Sequence, residues 1–436
     1  MSSEAGALLT DLYQLTMVQA YREHGLTDTA SFELFVRRLP PQRNFLVAAG
    51  LDQALDFLER FHFTDRELDW YARERRAPRE FIDWLAELRF EGEVDALPEG
   101  TLFFPDEPLL RVTAPLPIAQ LIETRLINIL QYQTLVASKA ARCTLVAPGK
   151  LLVEFGLRRA HGAEAGLLAA RAAYLAGFAG TSNLAAGMRF DIPVFGTMAH
   201  SFVQAHDSEA EAFLHFARSH PDNSVLLIDT WDTLAAARRV VDIAPVLHAE
   251  GVGIRGVRID SGDLALRARQ VRAILDDGGL RDTTIFSSGD LDEYRLRELV
   301  TDGAPIDGFG VGTRLVTSAD APYLNCAYKL VEYAGTPRFK SSEGKATLPG
   351  RKQVWRRFED GRMTADRITL HDESGTGTPL LQPVMRAGRR LHDETLPVLR
   401  ARLQRQLDTL PPALREPDPA PPYPVEIGAA IRRLLP

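Results

Sequence analysis

Between residues 151 and 311, seven short apolar runs recur every 16 to 31 residues, at 151–157, 177–183, 193–198, 223–229, 254–260, 283–287 and 306–311. Stretches rich in Ala, Arg and Leu separate most of them, at 163–176, 207–219, 232–250, 263–277 and 290–301. Short apolar runs divided by helical stretches read as strands joined by crossover helices, and such crossovers impose parallel pairing. The expected fold class is therefore α/β. Its centre would be an irregular parallel α/β barrel of about seven strands, with the site at the C-terminal ends of the strands. An open doubly wound sheet is the competing arrangement.

The flanks read differently. Residues 118–141 carry apolar positions at three-to-four spacing and predict a long helix. Residues 30–37 alternate as a strand, 51–90 are helical and aromatic-studded, and 100–113 predict a hairpin around Pro105-Asp106-Glu107-Pro108. After residue 327 come a strand (Tyr328–Tyr333), a basic loop at 336–357 and an Arg-rich helix at 394–408. A proline-rich tail follows at 409–424, expected to lie loosely on the surface. The chain thus divides into an N-terminal β-rich domain at 1–117, the barrel at 118–326 and C-terminal segments at 327–436. Those last segments would pack with the N-terminal region into one α+β domain.

Composition narrows the function classes. An apolar fraction of 45% with 25% charged residues is that of a soluble globular protein. No stretch approaches 18 uninterrupted apolar residues and the first residues carry no secretory pattern, so no membrane partner is expected and the compartment would be cytoplasmic. Two cysteines, Cys143 and Cys326, lie far apart without a CxxC pattern, which leaves no zinc site built on cysteine. A formal charge of −7 argues against a nucleic-acid partner.

The candidate chemistry collects where the apolar runs end. His200 follows the run 193–198 with Thr197 and Ser201 beside it, and an imidazole there suits proton transfer or attack on phosphorus. Arg158 and Arg258 stand at strand ends, where a guanidinium either forms a salt bridge to Glu154 or Asp260 or forks onto a carboxylate or phosphate. Asp260 and Asp263 bracket Ser261-Gly262. They either cap the next helix or meet ribose hydroxyls and a hydrated Mg²⁺. Ser288-Gly289-Asp290 and Gly310-Val311-Gly312-Thr313 offer backbone N–H groups at helix starts, which are anion sites.

Together these pieces resemble the nicotinate phosphoribosyltransferase family, a type II phosphoribosyltransferase family. The resemblance runs from residue 8 to about 355. It rests on Thr10-Asp11-Leu12-Tyr13-Gln14-Leu15-Thr16-Met17, Glu154-Phe155-Gly156-Leu157-Arg158-Arg159, Gly180-Thr181-Ser182-Asn183 and Gly196-Thr197-Met198-Ala199-His200-Ser201. Arg258-Ile259-Asp260-Ser261-Gly262-Asp263, Ser288-Gly289-Asp290-Leu291 and the Gly310–Thr313 turn complete it.

The resemblance implies an enzyme of NAD biosynthesis that joins nicotinate to 5-phosphoribosyl 1-diphosphate, releasing nicotinate mononucleotide and diphosphate. ATP hydrolysis would be coupled through phosphorylation of His200. It further implies that Phe155, Arg158, Ser182, Thr197 and Arg258 receive nicotinate, and that Tyr13 of a partner subunit covers the ring, so the unit would be a homodimer with shared sites. Asp260 would meet ribose or the shell of a Mg²⁺ carried by the diphosphate, with no direct protein ligand to the metal. Ser261, Asp263, Ser288, Gly289, Asp290, Gly310, Gly312 and Thr313 would hold the phosphoribosyl group. A nicotinamide-specific relative resembles a version with aspartate where this chain has Ser182. A quinolinate enzyme, a barrel hydrolase and a catalytically silent metabolite-binding barrel are the remaining readings.

Overall fold

The computed structural model describes residues 6–343, 345–391 and 393–435. It contains two compact units, one made of residues up to 138 and from 321 onward, the other of Lys139–Asp320. The first dividing point falls inside the helix Glu123–Val146. No described helix is long and apolar enough to cross a membrane.

The unit 139–320 is built on a parallel sheet. Its six strands run in the order Gly180–Thr181, Leu151–Glu154, Gly308–Val311, Thr284–Ser288, Gly256–Ile259 and Val225–Leu227. Every pairing between neighbours is parallel. The seventh apolar run does not extend the ladder. It touches it through one parallel bridge, Thr181 to Val194. Pro193 has no N–H to give and Gly196 weakens extended pairing, so the ladder stops there. Asn223 Nδ2 donates instead to the Gly196 carbonyl at 2.8 Å. Of the irregular parallel arrangement of about seven strands expected from the spacing, six form one parallel sheet and the seventh segment is bridged to it.

Helices follow the strands as the spacing predicts, at Ala163–Leu175, Glu209–Ser219, Thr233–Ala249, Leu264–Asp277 and Glu293–Thr301. Four of these start at a capping side chain, Ser208, Asp232, Asp263 and Asp292, which accepts an N–H of the first turn. Each cap contributes about 1 kcal/mol and fixes where strand gives way to helix. That is why the polar residues cluster after the strand ends.

The other unit is antiparallel. Its seven-stranded sheet runs in the order Thr336–Pro337, Cys326–Tyr333, Thr29–Val36, Pro108–Pro115, Glu93–Ala96, Gln382–Arg386 and Arg389–Arg390, so segments beyond residue 321 complete the N-terminal sheet. Three local expectations fail here. The hairpin at 100–113 does not form, because Leu102–Phe103 pairs with Leu46–Val47 while Pro108–Pro115 pairs with Thr29–Val36 and Glu93–Ala96. The proline-rich tail is tied down. Tyr423 stacks on Phe104 at 3.9 Å and donates to Asp366 at 3.1 Å, and Val425–Ile427 adds a parallel strand to Arg362–Leu370. Lys352 is no loop residue either. It opens the strand Lys352–Glu359, buried against Glu33 at 2.8 Å.

Candidate active site at the strand ends

Three neighbouring turns of the parallel sheet and the segment bridged to it converge on one constellation. Asp260, after the strand Gly256–Ile259, donates its N–H to Asp229 Oδ2 at 2.8 Å, and Ser261 Oγ donates to the same oxygen at 2.7 Å. Asp229 Oδ1 is buried with no hydrogen-bond partner. From the next turn, Ser288 Oγ donates to Asp260 Oδ1 at 2.5 Å. Gly289 sits at φ +101°, and a Cβ there would lie 2.2 Å from the Asp260 carbonyl oxygen. Only glycine fits both demands.

His200 opens the short helix His200–Gln204. Its Nδ1 lies 3.1 Å from Thr230 Oγ1 and its Nε2 lies 4.0 Å from Asp260 Oδ2, with the side chain 39% exposed. Arg258 Nη1 donates to Thr197 Oγ1 at 2.5 Å, while its Nε is buried without a partner. Burial lowers the Arg258 pKa from its ordinary value; Arg158's like charge adds to that, and Asp260 and Asp229 oppose it. A half-buried guanidinium with an exposed like charge acting on it invites an anion.

Aromatic rings adjoin this charge. Phe286 is the register partner of Arg258 on the neighbouring strand, and its ring centroid lies 5.7 Å from that of Phe155. A Cβ on Gly310 would meet the Phe155 ring at 2.4 Å, so that glycine makes room for the ring. Glu154 is buried. Its Oε2 accepts from Thr181 Oγ1 at 2.6 Å and its Oε1 from the Gly156 N–H, so it pairs with neither Arg158 nor Arg258. Burial raises its pKa and these two donors offset part of the rise.

A cleft of about 460 Å³ opens beside the constellation, and Asp260, Ser261, Gly289, Asp292, Arg295 and Arg314 are among its lining residues. Asp263 is not among the lining residues and caps the helix Leu264–Asp277.

Family models match this organisation in two blocks, the nicotinate phosphoribosyltransferase N-terminal domain over residues 8–131 and the nicotinate phosphoribosyltransferase family over residues 151–353. The chain belongs to the nicotinate phosphoribosyltransferase family. It is 48% identical to nicotinate phosphoribosyltransferase pncB2 of Mycobacterium tuberculosis, over 98% of this chain and 92% of that protein. To nicotinate phosphoribosyltransferase of Bacillus subtilis it is 43% identical, over 84% and 76%. The crystal structure of human nicotinic acid phosphoribosyltransferase superposes with a TM-score of 0.88 at 30% identity, covering 98% and 99% of the two chains. A nicotinate-nucleotide pyrophosphorylase from Pyrococcus furiosus, with a TM-score of 0.75 at 24% identity, shares the fold.

Most residues expected from the family motifs gather here: Thr197, His200, Arg258, Asp260, Ser261, Ser288, Gly289 and Asp290, with Phe155 and Arg158 alongside. Ser182 is half-buried in the turn after Gly180–Thr181, its N–H on the Glu154 carbonyl at 2.9 Å. Gly312 and Thr313 begin a helix of only four residues. Tyr13 belongs to the other unit, on the helix Leu12–Glu23, 49% exposed with its hydroxyl 3.4 Å from Glu123. Asp229 and Thr230 were not singled out from the sequence, yet they hold Asp260, Ser261 and His200 in place.

Proposed function

We propose that this chain is an ATP-dependent nicotinate phosphoribosyltransferase, acting in NAD biosynthesis in the cytoplasm. The observation that carries the reading is the half-buried Arg258, held by Thr197, repelled by Arg158 and carrying an unpartnered Nε beside the Phe155–Phe286 rings. An aromatic monocarboxylate matches that combination: its ring packs on the phenyl faces and its carboxylate relieves the two guanidiniums. Ser182, a neutral residue, leaves such a carboxylate unrepelled.

The phosphoribosyl group would lie in the cleft, its hydroxyls on Asp260, with the Asp229 carboxylate bonded behind it. Breaking the C1–diphosphate bond builds positive charge on the ribose, which those carboxylates stabilise. The ring nitrogen of nicotinate carries its own lone pair, so no general base is needed; the residues' task is positioning. No group of three potential metal-ligating side chains occurs among the described residues, and the carboxylate oxygens of Asp229 and Asp260 fit a hydrated Mg²⁺ brought by the diphosphate. When bound, Mg²⁺ would neutralise the leaving diphosphate. With Nδ1–H donating to Thr230, His200 presents the Nε2 lone pair to the γ-phosphorus of ATP. Attack there would form the N–P bond as ADP departs. Tyr13 would cover the ring from a partner subunit of a homodimer.

The test is product formation by the purified protein with 5-phosphoribosyl 1-diphosphate and Mg²⁺, offered nicotinate, nicotinamide or quinolinate, each with and without ATP. Mononucleotide from nicotinate alone, faster with ATP, is expected. Turnover of nicotinamide in its place would overturn the role given to Ser182. For the coupling, His200→Ala should keep slow basal transfer and lose all ATP stimulation; full stimulation in that variant would remove the phosphohistidine.

A further inference from the structure

The cleft carries three carboxylates, Asp260, Asp290 and Asp292, against two guanidiniums, Arg295 and Arg314. Arg295 is engaged on its own helix by Glu298 at 2.8 Å. Arg314 pairs with Asp292 at 2.9 Å, with its side chain 51% exposed. The two oxygens of Asp292 have separate tasks. Oδ1 caps the helix Glu293–Thr301, accepting the N–H groups of Tyr294 at 3.1 Å and Arg295 at 2.9 Å, while Oδ2 accepts from Arg314.

Position gives this pair its meaning. Asp292 follows Ser288-Gly289-Asp290 and Arg314 follows Gly310–Thr313, so the ion pair ties together the two turns expected to hold phosphate. The helix Thr313–Val316 has four residues, and so short a helix adds little dipole potential of its own. A phosphate dianion beside these carboxylates needs charge from a side chain.

We propose that Arg314 is a phosphate-binding residue kept in place by Asp292 until substrate arrives. The incoming phosphate takes over the guanidinium donors, while Asp292 retains its cap through Oδ1. A phosphate offers Arg314 more negative charge and a two-pronged acceptor, where Asp292 offers one oxygen while its other is held by the helix cap. Asp292 therefore competes with the ligand. The inference rests on the reading that a phosphoribosyl diphosphate occupies this cleft.

Calorimetric titration with inorganic diphosphate and with 5-phosphoribosyl 1-diphosphate tests it in Arg314→Gln, Asp292→Asn and the double variant. Asparagine caps helices as well as aspartate, so the fold is kept while the charge holding Arg314 is removed. Arg314→Gln should weaken both ligands roughly tenfold or more, and Asp292→Asn should tighten them by about threefold. The double variant should lose the tightening. A merely structural salt bridge would give both single variants the same sign or no change, and that result overturns the proposal. Should Arg314→Gln fail to fold, Arg314→Lys keeps the charge without the fork and should bind with intermediate affinity; affinity equal to the parent's would also overturn it. Binding by the parent protein with Arg314→Gln unaffected sinks only this inference. Absence of binding by the folded parent protein sinks the phosphoribosyl reading itself.

Discussion

Two sets of charges serve the same pair of turns and are built in opposite ways. On the buried side, Lys139 Nζ lies 2.7 Å from both Glu293 and Asp320, and Arg142 Nη1 lies 2.6 Å from Glu293 and 3.3 Å from Asp320. Glu293 follows the Ser288–Asp292 turn, and Asp320 closes the segment after Gly310–Thr313. Each charge is shared between two opposite ones and nearly all are sealed from water. At the cleft, Arg314 is half exposed on one carboxylate, and on the strand Gly256–Ile259 half-buried Arg258 leans on a hydroxyl with its Nε unpartnered. Desolvating four ions is tolerable only if their geometry stays closed, so the buried set fixes the turns. The open set can trade partners at small cost, which is what binding an anion requires.

The largest effect should come from breaking the sealed set. Lys139→Met takes one of the two paired cations from Glu293 and Asp320, leaving them to Arg142, and should cost about 3–5 kcal/mol of stability by chemical denaturation. A loss under about 1 kcal/mol would show that the tetrad is dispensable. Next comes Gly289→Ala, which forces an alanine to φ +101° against the Asp260 carbonyl. Strain of about 1–3 kcal/mol should appear as weaker phosphoribosyl diphosphate binding with nicotinate binding less affected. Equal affinities for the parent and the variant would detach that turn from the substrate.

The smallest effect lies in the antiparallel unit. Burial alone would raise the Asp95 carboxyl, but Arg111 at 2.7 Å and Arg386 at 2.8 Å hold it below the ordinary aspartate value of 3.8. The sign follows: the stabilisation is present above that ordinary value and is lost as pH falls through the lower folded-state value. The stability gap between the parent and Asp95→Asn should shrink on acidification, and a gap that widens would contradict the assignment.

What the sequence disclosed depended on how local the cause was. Six apolar runs became ladder strands because burial on both faces leaves a continuous apolar signature. The run at 193–198 carried the same signature, but Pro193 and Gly196 withhold ladder bonds, and periodicity does not register that. The expected hairpin at 100–113 failed for a nonlocal reason: the partners of Leu102–Phe103 lie at Leu46–Val47, some 55 residues earlier. His200, Arg258, Asp260 and Gly289 were legible as unusual residues at or just after the ends of apolar runs. Asp229 was legible in principle, since Ile228-Asp229-Thr230 repeats the pattern of Ile259-Asp260-Ser261 one strand earlier. Arg314 was not, because its meaning depends on Asp292, across two turns that only the fold brings together.

The contrast between sealed and open charges is tested most directly by titrating nicotinate into Arg258→Ala while following its unfolding. Affinity should fall by about 2–5 kcal/mol, with stability changed by less than about 1 kcal/mol. Unchanged nicotinate affinity together with a large loss of stability would place Arg258 among the sealed, structural charges and contradict the account.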